Sequence, residues 1–86
     1  MSEEQMRDKV LAYIKREYIE DEDEAEDLEA DTPLIESGLI DSFSITSIRD
    51  WLERTFEIKI PDEQGTVDNF ASVNAIISLV QARRQG

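Results

Sequence analysis

The sequence contains no cysteine and no histidine among its 86 residues. Without cysteine the chain has no disulfide, no thiolate nucleophile and no sulfur ligand for zinc, and without histidine it lacks the commonest general base and metal ligand. A chain this short also has a small core, which argues against a deep enclosed active site. The sequence therefore predicts one small domain that is not an enzyme.

Basic residues and long apolar runs are also scarce. Lys and Arg number 9 against 21 Asp and Glu, which gives a formal net charge of −12. This charge repels nucleic acids and anionic membrane surfaces, attracts basic protein surfaces and favours a monomer. No apolar stretch approaches the length of a membrane span, and the acidic start "MSEEQMRDKV" is unlike a signal peptide, so we expect a free-standing cytoplasmic protein.

Apolar residues recur at helical spacing near the start of the chain. Met6, Val10 and Tyr18 mark one side of a first helix at about residues 3–19, with Ser2 placed to cap it. Residues 20–41 are then predicted to form a long acidic loop. Its first part, "EDEDEAEDLEAD", carries nine carboxylates and little that a core could bury. Its second part, "TPLIESGLI", contains helix breakers around two aliphatic pairs, which predicts an ordered loop held against the core.

The second half of the chain predicts three more helices, because apolar residues again follow helical spacing and Asp41, Thr66 and Ser72 stand where caps are needed. The predicted boundaries are about 42–55 for the second helix, 66–70 for a short helix and 72–84 for the last. The predicted fold class is therefore all-α, a small bundle of three principal helices plus one short helix. A long loop separates the first two helices.

The pair Asp41 and Ser42 at the start of the second helix permits two interpretations. Helix capping is the commoner reason for such a pair. However, Asp41 can serve as the cap alone, which leaves the Ser42 hydroxyl near unpaired amides at the positive end of the helix dipole, a position suited to an anion. Ser42 is not expected to act as a nucleophile by itself, because the chain has no histidine to activate it. It is better explained as a substrate that another enzyme modifies.

A longer motif agrees with the second interpretation. The stretch "SGLIDSFSITSIRDWLERTFEIKIPDEQ", followed by "TVDNFASVNAIISLV", resembles the acyl carrier proteins. Their hallmarks are Asp-Ser-Leu at the start of the second helix and Ile-Pro-Asp-Glu just after it. Here Phe43 replaces the leucine and Ile60 begins the second motif. The resemblance covers nearly the whole chain.

The resemblance implies a prosthetic group and a set of partners. Ser42 would accept a 4'-phosphopantetheine arm from coenzyme A, delivered by a basic phosphopantetheinyl transferase that uses magnesium. The thiol of that arm would carry an acyl group as a thioester between enzymes of fatty-acid, polyketide or other specialised acyl metabolism. The implied partners are the transferase, an acyl- or aminoacyl-loading ligase or transferase, and synthase enzymes with basic docking patches.

Two further sets of residues follow from the resemblance. One set would line an apolar space for the acyl chain, although plain core packing accounts for the same residues: Ile45, Ile48, Leu52, Ile60, Phe70, Val73 and Ile77. The other set would contact partner enzymes: Asp41, Phe43, Arg49, Asp50, Glu53 and Glu57.

The outward face of the second helix departs from the family pattern. Ser44, Ser47, Arg54 and Thr55 stand where carboxylates are common, and Arg49 stands where an apolar residue is common. Such a face favours a dedicated set of partner enzymes over a general synthase. Equally, the two arginines could simply pair with nearby acids such as Asp50 and Glu57. "GLIDSF" also resembles D-alanyl and other aminoacyl carrier proteins loaded by adenylate-forming ligases, so an amino acid is an alternative cargo.

Two functions of other classes agree with parts of the sequence. The acidic residues 21–32 suggest a calcium loop, but they lack the glycine at the sixth position and the glutamate at the twelfth that an EF-hand needs, so no metal site is predicted. The second is an acidic interaction module without a prosthetic group, in which Trp51 would anchor a basic partner. That module would not need Ser42.

Overall fold

The computed structural model describes residues 2–85, which contain helices and turns and no strand. This confirms the predicted all-α fold class. The helices are α1 (Glu3–Tyr18), α2 (Glu22–Asp27), α3 (Ser44–Phe56) and α4 (Val73–Gln85), and two 3-10 turns cover Asp62–Gln64 and Asp68–Phe70. Within this part of the chain, no helix is both long and apolar enough to cross a membrane.

Helices α1 and α4 begin where a side-chain oxygen can accept a hydrogen bond from a backbone N–H of the first turn. The N–H of Gln5 donates to Ser2 Oγ at 3.2 Å, and the Gln5 side chain accepts from the N–H of Ser2 at 3.0 Å, which closes a capping box on α1. The N–H of Ala75 donates to Ser72 Oγ at 3.1 Å at the start of α4. These caps satisfy amides that the helix geometry leaves unpaired.

One apolar core joins the helices and is centred on α4. This helix packs against α1, α3 and the second 3-10 turn. Val73, Ile76 and Val80 on α4 and Phe70 in that turn have no exposed surface. No polar or charged residue is buried among the described residues, so the core depends on apolar burial alone.

The acidic segment differs from the prediction, because residues 20–41 are not all loop. Glu22–Asp27 form the short helix α2, in which no residue is buried. Asp21 accepts from the N–H of Asp23 at 2.9 Å, and the acids of the first turn suit the positive end of the helix dipole. Helix α2 is therefore capped locally and mostly exposed, with Ala25 alone packed against the core. Leu28, directly after it, is buried in the core.

The region between α3 and α4 also differs in detail. The link after α3, for which no helix was predicted, contains a 3-10 turn at Asp62–Gln64. The short helix expected at about 66–70 is the 3-10 turn Asp68–Phe70, where the N–H of Phe70 donates to the carbonyls of Thr66 and Val67 at 3.2 Å each. This tight geometry turns Phe70 into the core.

The loop that leads to α3 is tied to α4 through its backbone. The N–H of Leu34 donates to the carbonyl of Ala71 at 2.8 Å, and the N–H of Asn74 donates to the carbonyl of Ala30 at 2.9 Å. Gly38 adopts a left-handed conformation with φ of 83°, which a residue with a side chain would resist. These contacts, together with buried Leu34 and Ile40, fix the approach of the chain to the start of α3.

An aromatic stack joins α1 to α3. The rings of Tyr13 and Trp51 are nearly parallel, with centroids 4.0 Å apart, and Phe56 meets the edge of Trp51 at 6.1 Å. Trp51 is half-buried in this stack. Burial, with a smaller effect from Tyr18, raises the pKa of Tyr13 to about 12 from its usual value of 10.0.

This shift predicts a loss of stability in alkali. Between pH 10.0 and about 12 the unfolded chain releases the Tyr13 proton while the folded chain keeps it. The free energy of unfolding should therefore fall as pH rises through this range, and the Tyr13 contribution should be fully present below it. Urea unfolding across this range, compared between wild type and Tyr13→Phe, measures the effect. Equal pH slopes in the two proteins would contradict it.

Candidate functional site

The start of α3 is organised by the carboxylate of Asp41. The N–H of Ser44 donates to Asp41 Oδ1 at 2.9 Å and the Ser44 hydroxyl donates to the same oxygen at 3.1 Å. The N–H of Ser44 also reaches the Asp41 carbonyl at 3.0 Å, which closes a turn. Helix α3 consequently begins at Ser44, two residues later than predicted. Asp41 provides the capping interaction that its side chain suggested.

Ser42 lies in the turn between this cap and the first helical residue. It is exposed, and its hydroxyl makes no hydrogen bond with the described part of the chain. The backbone amides of Ser42 and Phe43 likewise have no partner among residues 2–85. A phosphodiester on Ser42 would therefore meet amide donors at the positive end of the helix, so this geometry fits a phosphate-linked group.

The neighbourhood of Ser42 contains no group suited to activate it. The sequence has no histidine, and the Asp41 carboxylate already accepts from the Ser44 amide and hydroxyl. Phe43, the next residue, is 86% exposed. The site therefore presents an accessible hydroxyl without a base, as expected for a residue modified by a separate enzyme.

Comparison with known proteins identifies the kind of domain. The family model described as "Phosphopantetheine attachment site" matches residues 9–80. The chain belongs to this family. The carrier-protein resemblance and the predicted 4'-phosphopantetheine cofactor are thereby confirmed. The chain is also 28% identical over 76 residues to the probable acyl carrier protein PigG of Serratia sp., a match that covers 88% of this chain and 85% of that protein.

Membership defines what the domain does in general terms. Carrier proteins of this family are not catalytic themselves. They receive their prosthetic group from phosphopantetheinyl transferases and work with synthase or ligase enzymes. In residues 2–85 no group of three or more acidic side chains is placed to hold a metal ion.

The residues predicted to shelter an acyl chain all lie in the core. Each is 6% exposed or less, and they belong to one buried cluster with the rest of the core: Ile45, Ile48, Leu52, Ile60, Phe70, Val73 and Ile77. The structure thus brings together residues from α3, the following link and α4. They are packed against one another, and their use by an acyl chain stays a prediction.

Five of the six residues predicted to meet partners fall into two groups, and Arg49 belongs to neither. Asp41 and Phe43 lie beside Ser42 at the start of α3. The acidic members Asp50, Glu53 and Glu57 line one cleft of about 420 Å³ near the other end of the helix, together with Arg54, Ile58 and Lys59.

Several of these charged groups are already bonded within the protein. Arg54 pairs with Asp50, as one interpretation of the sequence expected. Arg49 instead pairs with Asp62, Nη1 to Oδ1 at 2.6 Å. A Cβ at Gly65 would lie 3.6 Å from Arg49 Nη1, so the turn 62–65 packs against α3 and brings Asp62 within reach.

Glu53 has a structural role that the sequence analysis missed. Its Oε2 accepts from the N–H of Ile60 at 2.9 Å, in a partly buried position. The chain reverses direction after α3, where Glu57 takes a left-handed conformation with φ of 55°. The hydrogen bond holds the segment beyond this turn against α3. Neither this bond nor the Arg49–Asp62 pair follows a helical spacing, so periodicity gave no signal for them.

Loss of the Glu53 acceptor should destabilise the domain. Glu53→Ala leaves the Ile60 amide without its charged partner and should lower the free energy of unfolding by about 1 to 3 kcal/mol. Glu53→Gln keeps an acceptor oxygen and should lower the free energy of unfolding by less than Glu53→Ala does. Urea unfolding followed by circular dichroism measures both, with Glu63→Ala at an exposed position as the matched control. If Glu53→Ala lowered the free energy of unfolding no more than the control does, the structural role of Glu53 would be contradicted.

Proposed function

We propose that this protein carries acyl groups as thioesters on a 4'-phosphopantetheine arm attached to Ser42. It would shuttle them between enzymes of fatty-acid, polyketide or other specialised acyl metabolism in the cytoplasm, as a monomer. The observation that carries the proposal is the exposed Ser42 hydroxyl, placed directly after the Asp41 cap in a chain of the phosphopantetheine attachment family.

The chemistry of the site assigns separate roles to Asp41, Ser42 and the transferase in the attachment reaction. Asp41 fixes the turn, and Ser42 supplies the oxygen that attacks the pyrophosphate of coenzyme A, so that 3',5'-adenosine bisphosphate leaves and a phosphodiester forms. The transferase must supply the base that takes the Ser42 proton, because the Asp41 carboxylate is held by Ser44. The arm, when attached, contributes the thiol that the cysteine-free chain lacks.

The cargo and the partner enzymes form the finer part of the proposal. The name of the Serratia relative, a probable acyl carrier protein, favours an acyl cargo. The resemblance of "GLIDSF" to aminoacyl carriers supports an amino acid as the second candidate. In either case the mixed charges on α3 favour dedicated partner enzymes that hold an apolar or weakly basic docking surface.

The alternative of an interaction module without a prosthetic group has less support. Its proposed anchor, Trp51, stacks on Tyr13 with 4.0 Å between ring centroids and is half-buried. An indole held in this way offers a partner little new surface to bury.

Attachment to Ser42 can be tested by intact mass. Apo-protein incubated with coenzyme A, magnesium and a broad-specificity phosphopantetheinyl transferase should gain one phosphopantetheine. Ser42→Ala should gain none, and Ser44→Ala, which keeps the attachment serine, serves as the matched control. Unmodified wild type, with the protein folded and the transferase active on a known carrier, would contradict the carrier function.

The cargo can be tested with two loading enzymes. Holo-protein offered to the malonyl transferase of a general fatty-acid synthase should be loaded at least about tenfold more slowly than that synthase's own carrier, because the charge pattern of α3 differs. A panel of acyl- and amino-acid-activating ligases, read by intact mass, then distinguishes the acyl from the aminoacyl cargo. Efficient malonylation would argue against dedicated partners.

A further inference from the structure

A cleft between α1 and α3 carries a charge opposite to that of the protein as a whole. It has a volume of about 420 Å³ and is lined by Lys9, Ala12, Tyr13, Arg16, Trp51 and Thr55. Two of these residues are cations and none is an acid, whereas acids outnumber bases by 21 to 9 in the whole chain. The cleft is therefore a basic site on a protein with a net charge of −12.

The second half of α1 provides this local charge. Residues 9–18 read "KVLAYIKREY", with three cations and one acid. Lys9, Tyr13 and Arg16 follow one another at spacings of four and three residues, so they lie on one face of the helix. At 1.5 Å per residue, Lys9 and Arg16 are about 10 Å apart along the axis, with Tyr13 between them.

The two cations of the cleft are available to an incoming anion. Lys9 is exposed and makes no ion pair within residues 2–85. Arg16 is exposed and contacts Glu17, Nε to Oε1 at 3.3 Å, in a pair between exposed neighbours that holds the guanidinium weakly. Its Cζ lies 5.9 Å from the centroid of the Tyr13 ring, so the charge of Arg16 stands beside the aromatic part of the cleft.

Other cations of the protein are engaged elsewhere. Arg7, Arg49 and Arg54 pair with acids, and Arg83 donates to the carbonyl of Lys59 at 2.7 Å. Arg54 and Lys59 also line a cleft, but three acids share it. The cleft between α1 and α3 differs because its two cations face it without an acid among the lining residues.

The floor of the cleft is apolar and held in place. The rings of Tyr13 and Trp51 are stacked with centroids 4.0 Å apart, and Phe56 meets the edge of Trp51. Tyr13 is buried, whereas Trp51 is half-buried and keeps part of its surface open at the cleft. An apolar side chain laid on these rings would leave water without any movement of the rings, so the gain comes chiefly from the incoming side chain.

The cleft is separate from the attachment site. Trp51 and Thr55, its two residues on α3, lie about 10 and 16 Å along the axis from Ser44, where the helix begins. Neither Ser42 nor its neighbours in the turn line the cleft. An occupant of the cleft therefore leaves Ser42 accessible.

We propose that this cleft docks an acidic segment of a partner protein in which an apolar side chain lies between two carboxylates. The two cations set the charge of the occupant, and the aromatic floor between them sets the apolar position. An extended segment of the form Glu-x-Leu-x-Glu presents these three side chains on one face, with about 13 Å between the outer two. The long side chains of Lys9 and Arg16 can span that distance.

A protein segment fits the cleft better than a small free anion does. The cleft is open to solvent, where a single exposed ion pair contributes little. A segment that adds an apolar contact to two ion pairs combines several weak contributions in one binding event. The inference goes beyond the carrier function and does not depend on it. A partner bound in this way can stay on the carrier while another enzyme acts on Ser42.

Docking can be tested by NMR with ¹⁵N-labelled apo-protein and the synthetic peptide Ser-Glu-Ala-Leu-Ala-Glu-Ser, blocked at both ends, at low salt. The indole N–H of Trp51, the single tryptophan, should shift saturably together with the amides of residues 9–16, with half-saturation at about 1 mM or below. The peptide in which glutamine replaces both glutamates should need at least about fivefold more. No saturable shift at these residues, or equal half-saturation for the two peptides, would overturn the inference.

Two double variants locate the charge requirement. Lys9→Gln combined with Arg16→Gln should raise the half-saturating peptide concentration about fivefold or more, because both ion pairs are lost. Arg54→Gln combined with Lys59→Gln changes the net charge equally at the other cleft and should stay within about twofold of wild type. Equal melting midpoints of the variants exclude a loss of fold. Equal weakening in the two double variants would assign the effect to net charge and overturn the inference.

Holo-protein distinguishes this inference from the carrier function. It should bind the peptide with the half-saturation of apo-protein, within about twofold, because the cleft lies apart from Ser42. Loss of peptide binding on modification would overturn the inference and leave the carrier function standing. Wild type that binds the peptide but is not modified by an active transferase would contradict the carrier function and leave the inference standing.

Discussion

The apolar face of α4 is the surface on which the rest of the domain is assembled. Helices α1 and α3 and the turn that carries Phe70 all pack against it. The long segment between α1 and α3 is attached to α4 through the Asn74–Ala30 backbone bond and to the end of the preceding turn through the Leu34–Ala71 bond. A chain with a net charge of −12 resists compaction, so the apolar contacts gathered around this face must outweigh the repulsion between its acids.

Much of this arrangement could be predicted from local patterns. Helical spacing of apolar residues located α1, α3 and α4 because amphipathic helices leave a strong periodic signal. Helix α2 was predicted as loop because its nine-carboxylate surroundings offered little to bury, whereas the Asp21 cap, the helix dipole and the contact of Ala25 with the core support two turns there. The predicted short helix 66–70 contains both Val67 and Phe70, yet the 3-10 geometry buries Phe70 and leaves Val67 exposed.

At the candidate site too, contacts between sequence neighbours could be predicted, whereas contacts between distant residues could not. Asp41 and Ser42 are adjacent in sequence, so the Asp41 cap could be predicted locally, while the attachment role of Ser42 was predicted from the longer motif that continues to Ile60. The partners of Arg49 and Glu53 lie beyond the end of α3, at Asp62 and Ile60, and depend on how the chain reverses there. Only the folded structure distinguishes the acids of α3 that are available to a partner from those that are already bonded.

The stack of Tyr13 and Trp51 gives the domain an optical property of its own. Trp51 is the single tryptophan of the chain, and its ring lies 4.0 Å from a tyrosine on another helix. Its fluorescence therefore depends on the spacing of α1 and α3. If a cargo chain enters the core and these helices separate, the emission of one indole will record the entry without any added label, and a cargo that stays on the surface will leave the emission unchanged.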